Sequence, residues 1–214
     1  MQKLACYTLA LLVITLFMIP QSGYTTGLGL YLPSWGNGTS TINYDNGYEW
    51  EQDIDHIGIG FVLDTRVARR GVFNYRLHLG FESAQYGEMD NKYSRFALDN
   101  TFGFAIVQSS VVRLWFGPQI RLVYQSYSES DLSYDASINA LGIGLAPVLG
   151  FNFNLGNVVS ICPEIGFRFM FLGGTQEYDG YYGYSEEPFD SKEQYVFVNL
   201  ALLFRINDVF DDFF

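Results

Sequence analysis

His56 and His78 are the only two imidazoles in the chain, so proton transfer or metal chemistry centred on histidine has to run through one of them. A lipid deacylase or acyl transferase needs a histidine set beside a serine and an acid. Neither histidine has a serine placed for that work. His78 precedes Glu82 by four residues, a spacing that puts both on one face of a strand, and we read them as a structural pair. Cys162 is a lone thiol once the leader is set aside, and reads as a packed small side chain. Phosphate-binding glycine loops, zinc-ligand spacings and a basic nucleic-acid face are missing from the sequence. The expectation is a protein that is not an enzyme, with no catalytic, cofactor or metal residues and no nucleic-acid partner.

The charged residues that remain become intelligible once their positions are set against the apolar ones. From residue 24 onward apolar side chains recur at every second position, the period of a strand and not of a helix. Phe73, Tyr75, Leu77, Leu79 and Phe81 share one face, while Asn74, Arg76, His78, Gly80 and Glu82 share the other. The pattern repeats around residues 28–32, 57–63, 96–106, 112–124, 141–151, 159–171 and 195–206, giving eight strands. Strand parity gathers Arg76, His78, Arg113, Arg121, Arg168 and Arg205 on the polar face with Glu82, Asp99 and Glu164. On a hairpin turning at Ser109 and Ser110, Asp99 falls opposite Arg121, and Glu82 is expected near Asp99.

The polar face is built of glycine with scattered large charged residues, and beyond the leader the lysines are Lys92 and Lys192, both in connections. A soluble sandwich would carry a solvated, lysine-rich second face. Glycines interspersed with large polar groups suit the interior of a narrow barrel, and the apolar face then meets lipid. The charged set becomes a polar network in the lumen, since charges in so narrow a space must pair or meet water. The connections alternate between long (34–52, 85–95, 126–138, 173–194) and short (64–71, 109–110, 155–157), as expected of a bacterial barrel with long outer loops and short inner turns. Pro118, Pro147 and Pro163 lie inside strands, where each removes a ladder donor, and bulges or local distortion are expected there.

At the N-terminus Lys3 precedes the apolar run from Leu4 to Ile19, followed by Pro20, Ser22 and Gly23, which reads as a cleaved export signal. The run is shorter than the roughly 20 residues of a spanning helix. The chain therefore divides into a signal peptide (1–23), an all-β, eight-stranded antiparallel up-and-down transmembrane barrel (24–206) and a short C-terminal tail (207–214).

This architecture resembles the superfamily of eight-stranded outer-membrane barrels typified by the OmpA transmembrane domain, OmpX and OmpW, and the likeness covers the whole mature chain. It implies residence in the outer membrane of a double-membraned bacterium, contact with outer-membrane lipid and the barrel-assembly machinery, and a monomer. Members of that superfamily usually end the last strand on an aromatic residue. Here Val196, Val198, Leu200, Leu202 and Phe204 look like that strand, but the chain runs on to Phe213 and Phe214 with Asp208 and Asp212 breaking the alternation.

The formal net charge is −11, and the expected outer loops carry most of it, from Glu49 and Glu51 to Glu129, Asp135, Glu177 and Glu193, against Lys92, Arg95 and Lys192. The last loop sets Tyr178, Tyr181, Tyr182 and Tyr184 among glycines with Asp179, Glu186 and Glu187, an adaptable contact surface. The functional expectation is a structural or surface-interaction barrel that meets an extracellular ligand through acidic, tyrosine-rich loops. The alternative implied by the OmpW-like resemblance is a narrow channel for small solutes or hydrophobic compounds, and a lipid-modifying enzyme is the distant third.

Overall fold

The computed structural model describes residues 26–44, 47–65, 67, 71–87, 92–130, 134–181 and 183–206. The expected signal peptide and the tail lie outside the described residues, as does Tyr182. Eight antiparallel strands follow in chain order: β1 (Gly27–Tyr44), β2 (Glu49–Asp64), β3 (Phe73–Tyr86), β4 (Lys92–Gln108), β5 (Val112–Ser130), β6 (Tyr134–Leu155), β7 (Val159–Gly180) and β8 (Gly183–Arg205). Each pairs with its sequence neighbour, and β1 pairs with β8 from Gly27↔Arg205 to Tyr44↔Phe189, which closes the barrel. Closure leaves no unpaired strand edge, the condition for a sheet to lie in lipid.

A tilted strand crosses a bilayer in about 9–11 residues, yet β5 to β8 have 19, 22, 22 and 23. The excess lies on one side. Along every strand the outward residues are apolar, Asn100 of β4 excepted, from the inner end to a common level at Trp35, Ile57, Phe81, Phe96, Tyr124, Leu141, Phe171 and Val196, all exposed. The next outward positions are Asn37, Asp55, Ser83, Ser94, Ser126, Asn139, Gly173 and Gln194. This edge, rich in aromatics, is the upper interface of the membrane-spanning belt. Above it the strands continue as a collar in water.

The outer connections are accordingly not the long loops that the sequence suggests. Most of 34–52, 85–95, 126–138 and 173–194 is strand, joined by brief turns such as that between Gly180 and Gly183. Inside the collar tyrosines are mixed with glutamine, glutamate and serine as well as with aliphatic residues, so the inward positions lack the uniform character by which a hydropathy alternation is recognised. The inner connection between β2 and β3 is the longest of all, spanning positions 65–72.

Of the bulges or local distortion expected at Pro118, Pro147 and Pro163, the structure shows distortion without a bulge: Pro118 pairs with Pro147 and Pro163 with Leu200 without a change of register. Each proline instead faces a gap in the ladder on its other side. The β4–β5 pairing passes from Thr101↔Gln119 to Phe104↔Phe116, and β6–β7 from Leu145↔Phe169 to Val148↔Gly166 and from Gly150↔Glu164 to Phe153↔Ile161. Losing one donor costs a rung but does not require an extra residue. The register shifts fall between Tyr31 and Ser34, where Pro33 sits, and between Ala105 and Val107.

Candidate functional site

Within the belt the lumen is filled by three tiers of charge. In the innermost, Arg76 on β3 donates through Nε and Nη2 to Asp64 Oδ2 on β2, at 2.8 and 2.5 Å, and through Nη2 to Asn152 Oδ1 on β6 at 2.9 Å. Its Nη1 donates to Glu164 on β7. The guanidinium lies 5.0 Å from the centre of the Trp115 ring, whose Nε1 donates to the same Asn152 oxygen at 3.1 Å. Asn152 in turn donates to the Val67 carbonyl at 2.9 Å, so the long inner turn reaches into the barrel mouth.

The middle tier centres on Arg121 of β5. Its Nε donates to Asp99 Oδ1 on β4 at 2.9 Å, Nη1 to the Tyr195 hydroxyl on β8 at 2.9 Å, and Nη2 to Glu82 on β3. Arg168 on β7 stands 3.5 Å from Asp99, donates to Gln119 and Tyr195, and lies 4.2 Å from the Phe197 ring centre. The outermost tier pairs Arg95 Nη2 with Glu193 Oε1 at 2.5 Å, with Arg95 Nε donating to Gln125 at 2.7 Å and the Tyr86 hydroxyl to Glu193 at 2.6 Å.

All nine charged residues assigned to the lumen from the sequence are buried in the barrel, but their roles differ. Arg76, Glu82, Asp99, Arg121, Glu164 and Arg168 form the tiers. Arg113 and Arg205 stand at the inner mouth and donate to the turn carbonyls of Gly71 and Gly156. His78 does not pair with Glu82; its Nε2 is 3.8 Å from Glu164 and its ring meets Tyr31 edge-on. Glu82 is registered against Arg95, and Asp99 against His78 and Arg121, so the two carboxylates meet only at the shared arginine. His56 is buried edge-on to Tyr195. Sequence reasoning missed Arg95 and Glu193, both assigned to outer loops, and Asp64, assigned to an inner turn. Continuing the strand parity a few residues further would have turned all three inward.

Glycine makes room for so many large groups. A Cβ on Gly150 would stand 2.1 Å from the Trp115 ring, and one on Gly80 would stand 2.0 Å from the Tyr31 hydroxyl. The inward face of β6, with Gly142, Gly144 and Gly150, is space taken up by side chains of the flanking strands β5 and β7.

Above the Arg95–Glu193 tier the inward residues change character. Ile42 and Tyr44 of β1, Trp50 of β2, Tyr86 of β3, Tyr93 of β4, Tyr127 of β5, Ile138 of β6, Leu172 and Tyr178 of β7, and Phe189 of β8 enclose a cavity of about 590 Å³. Tyr93 stacks on Tyr127 with ring centres 4.9 Å apart and meets Tyr86 edge-on, also at 4.9 Å. Gln52, Gln125, Gln176 and Ser191 supply polar points, and Glu129 and Glu187 the charge. This volume suits a small molecule. Burial, then Tyr178, Glu187 and Tyr48, push the Tyr44 phenol above its ordinary range. Tyr93 is pushed up to about 12 by burial, Tyr44 and Tyr178. Both lie above the belt, and the one carboxylate among these neighbours, Glu187, works against a negative charge on Tyr44.

The tyrosine-rich hairpin divides between two surfaces. Tyr178 and Glu187 line the cup, whereas Tyr181 is 92% exposed at the tip and Asp179, Tyr184 and Glu186 are also exposed.

An eight-stranded closed barrel with an apolar belt outside and a charged lumen is an outer-membrane β-barrel. Solved structures bear out that class: the chain superposes on a major outer-membrane protein of Thermus thermophilus with a TM-score of 0.53 and 12% identity, covering 81% of this chain and 99% of that one. It superposes equally on the outer-membrane protein OprG of Pseudomonas aeruginosa, with a TM-score of 0.54 and 11% identity over 86% and 98% of the two chains. At such identities the likeness is one of fold. The sequence matches no protein-family model and no curated protein.

Proposed function

We propose that this chain is a non-conducting surface-interaction barrel, which takes a small extracellular ligand into the collar cup and works by binding, not by catalysis. It is held as a monomer in outer-membrane lipid after insertion by the assembly machinery. The observation that carries this reading is the junction between the two halves of the interior. The floor of the cup is the Arg95–Glu193–Tyr86–Gln125 tier, and two further tiers of buried ion pairs lie beneath it. Arg76, Arg95, Arg121 and Arg168 are each at most 2% exposed, so a solute entering from outside meets a wall of desolvated, paired charge. Moving it aside means separating buried pairs at about 3–5 kcal/mol each.

The test is planar-bilayer conductance of the refolded full chain, combined with a binding screen read through fluorescence of Trp50 in the cup lining. A silent bilayer with saturable quenching is the expected result. Steady single-channel currents would overturn the reading in favour of the narrow channel.

A further inference from the structure

We infer that the cup is selective for a small organic cation, an amine or quaternary ammonium carried on an apolar body and taken up from solution outside the cell. This rests on the reading of the collar as a binding cup and adds the charge of its ligand.

Four independent observations converge on that charge. Aromatic faces from seven strands line the cavity, and stacked or edge-on tyrosines such as Tyr86, Tyr93 and Tyr127 present the electron-rich surface that attracts a desolvated cation. The ionisable side chains among the described lining residues, apart from the tyrosines, are carboxylates, Glu129 and Glu187; lysine and arginine do not occur there. Arg95 lies in the floor itself, with its charge held against Glu193. Gln52, in the lining, holds its Oε1 buried with no donor among the described residues, an acceptor suited to an ammonium N–H or to the polarised methyl groups of a quaternary nitrogen. Finally, the outward face of the collar repeats the sign. Along β2 it shows Glu49, Glu51, Asp53 and Asp55, a field that draws cations toward the mouth and repels carboxylates and phosphates.

Shape and charge can be separated with three probes of nearly equal size: benzyltrimethylammonium, its neutral isostere neopentylbenzene, and the anion phenylpropionate. Each is titrated into the full chain refolded in dodecyl maltoside micelles, whose head groups are uncharged sugars. Trp50 fluorescence follows binding, and a shift to compact migration in unheated gels verifies folding of each sample. The expected result is that the cation binds about tenfold tighter than its isostere, the scale of a desolvated cation–π site, with the anion weakest. E187Q should erode that preference severalfold and Tyr93→Leu should erode it further. If neopentylbenzene binds as tightly as the cation, or phenylpropionate more tightly, the charge inference is wrong while the binding cup stands. Folded protein that binds none of the three overturns both.

Discussion

Arg121 holds the middle of the plug, and replacing it with alanine separates a solid lumen from a wet one. The guanidinium is about 1% exposed and serves Glu82, Asp99 and Tyr195 from three different strands. In R121A, Asp99 keeps Arg168 at 3.5 Å. Glu82 loses its cation, and its Oε2 already has no hydrogen-bond partner among the described residues. Breaking a buried pair from one side costs about 3–5 kcal/mol because the orphaned charge stays desolvated. The second acceptor's remaining arginine puts the expected loss near the lower end, about 3 kcal/mol. R121M combined with E82Q removes charge from both sides and should recover most of that loss. The assay is urea unfolding of the protein in phospholipid vesicles, followed by tryptophan fluorescence and by loss of compact gel migration, with bilayer conductance on the same samples. A loss under about 1 kcal/mol, the worth of a solvated surface pair, would mean that water already fills the lumen. A lumen plugged by desolvated ion pairs would then be refuted, whatever the conductance.

Other perturbations probe the remaining layers. Gly150→Ala drives a methyl into the fixed Trp115 ring and should cost about 1–3 kcal/mol in the same unfolding assay. Gly173→Ala, whose nearest neighbour would be Asp190 Oδ1 at 3.2 Å, should stay within about 0.5 kcal/mol; equal effects would refute the close-packing account. On the lipid side, Tyr75 donates to Asn100 Oδ1 at 2.6 Å in the middle of the belt, while Asn100 Nδ2 has no partner among the described residues. Asn100→Leu alone strands the phenol and should cost about 1 kcal/mol, whereas adding Tyr75→Phe should restore or exceed the parent stability; a double variant weaker than the single would show that the polar pair is needed. Tyr93 is held neutral to about 12 against an ordinary value of 10.0. Its contribution to stability is therefore complete below pH 10 and is lost as the pH rises from there toward 12. The parent should destabilise over that window more steeply than Y93F, and identical alkaline unfolding curves would count against a buried phenol at this position.

The membrane half of this molecule was legible in the sequence because lipid and a narrow lumen impose opposite chemistry on alternate residues. Phe73 to Glu82 could be sorted by parity alone, and the Asp99–Arg121 pair followed from the turn at Ser109. The collar was not legible, for a physical reason. Once a strand leaves lipid its outward side chains become polar, and its inward ones here mix tyrosine with aliphatic and polar residues, so residues 34–52 and 173–194 lose the hydropathy contrast that marks a strand. Arg95 and Glu193 were lost with them, since a charge in an assumed loop has no inside to face. Which carboxylate each arginine serves was also out of reach, because Arg76 reaches Glu164 and Arg121 reaches Tyr195 across the lumen, not along the ladder. Parity assigns a face, while the tilt of the closed barrel decides which residues share a level.

The two halves obey one rule with opposite signs, and this is what makes the cup more than a loop feature. A closed barrel must match its outer surface to its surroundings and fill its interior with what remains. In lipid that requires an apolar exterior, and the interior holds paired arginine and carboxylate. In water the exterior turns acidic at the level of Asn37 and Asp55, and the interior turns aromatic within a few residues, from Glu193 to Phe189 along β8. A collar serving only to hold turns clear of the membrane would be expected to collapse its aromatic interior, as small barrels fill theirs with side chains. This one keeps about 590 Å³ open above a floor of paired charge. Filling that space is therefore a direct trial of function. Ala136→Phe, pointing a ring into the cup from β6, should preserve folding and abolish saturable quenching of Trp50 by benzyltrimethylammonium. If quenching persists unchanged in the folded variant, the ligand binds on the exposed face of the collar and the cup is only a gap in its packing.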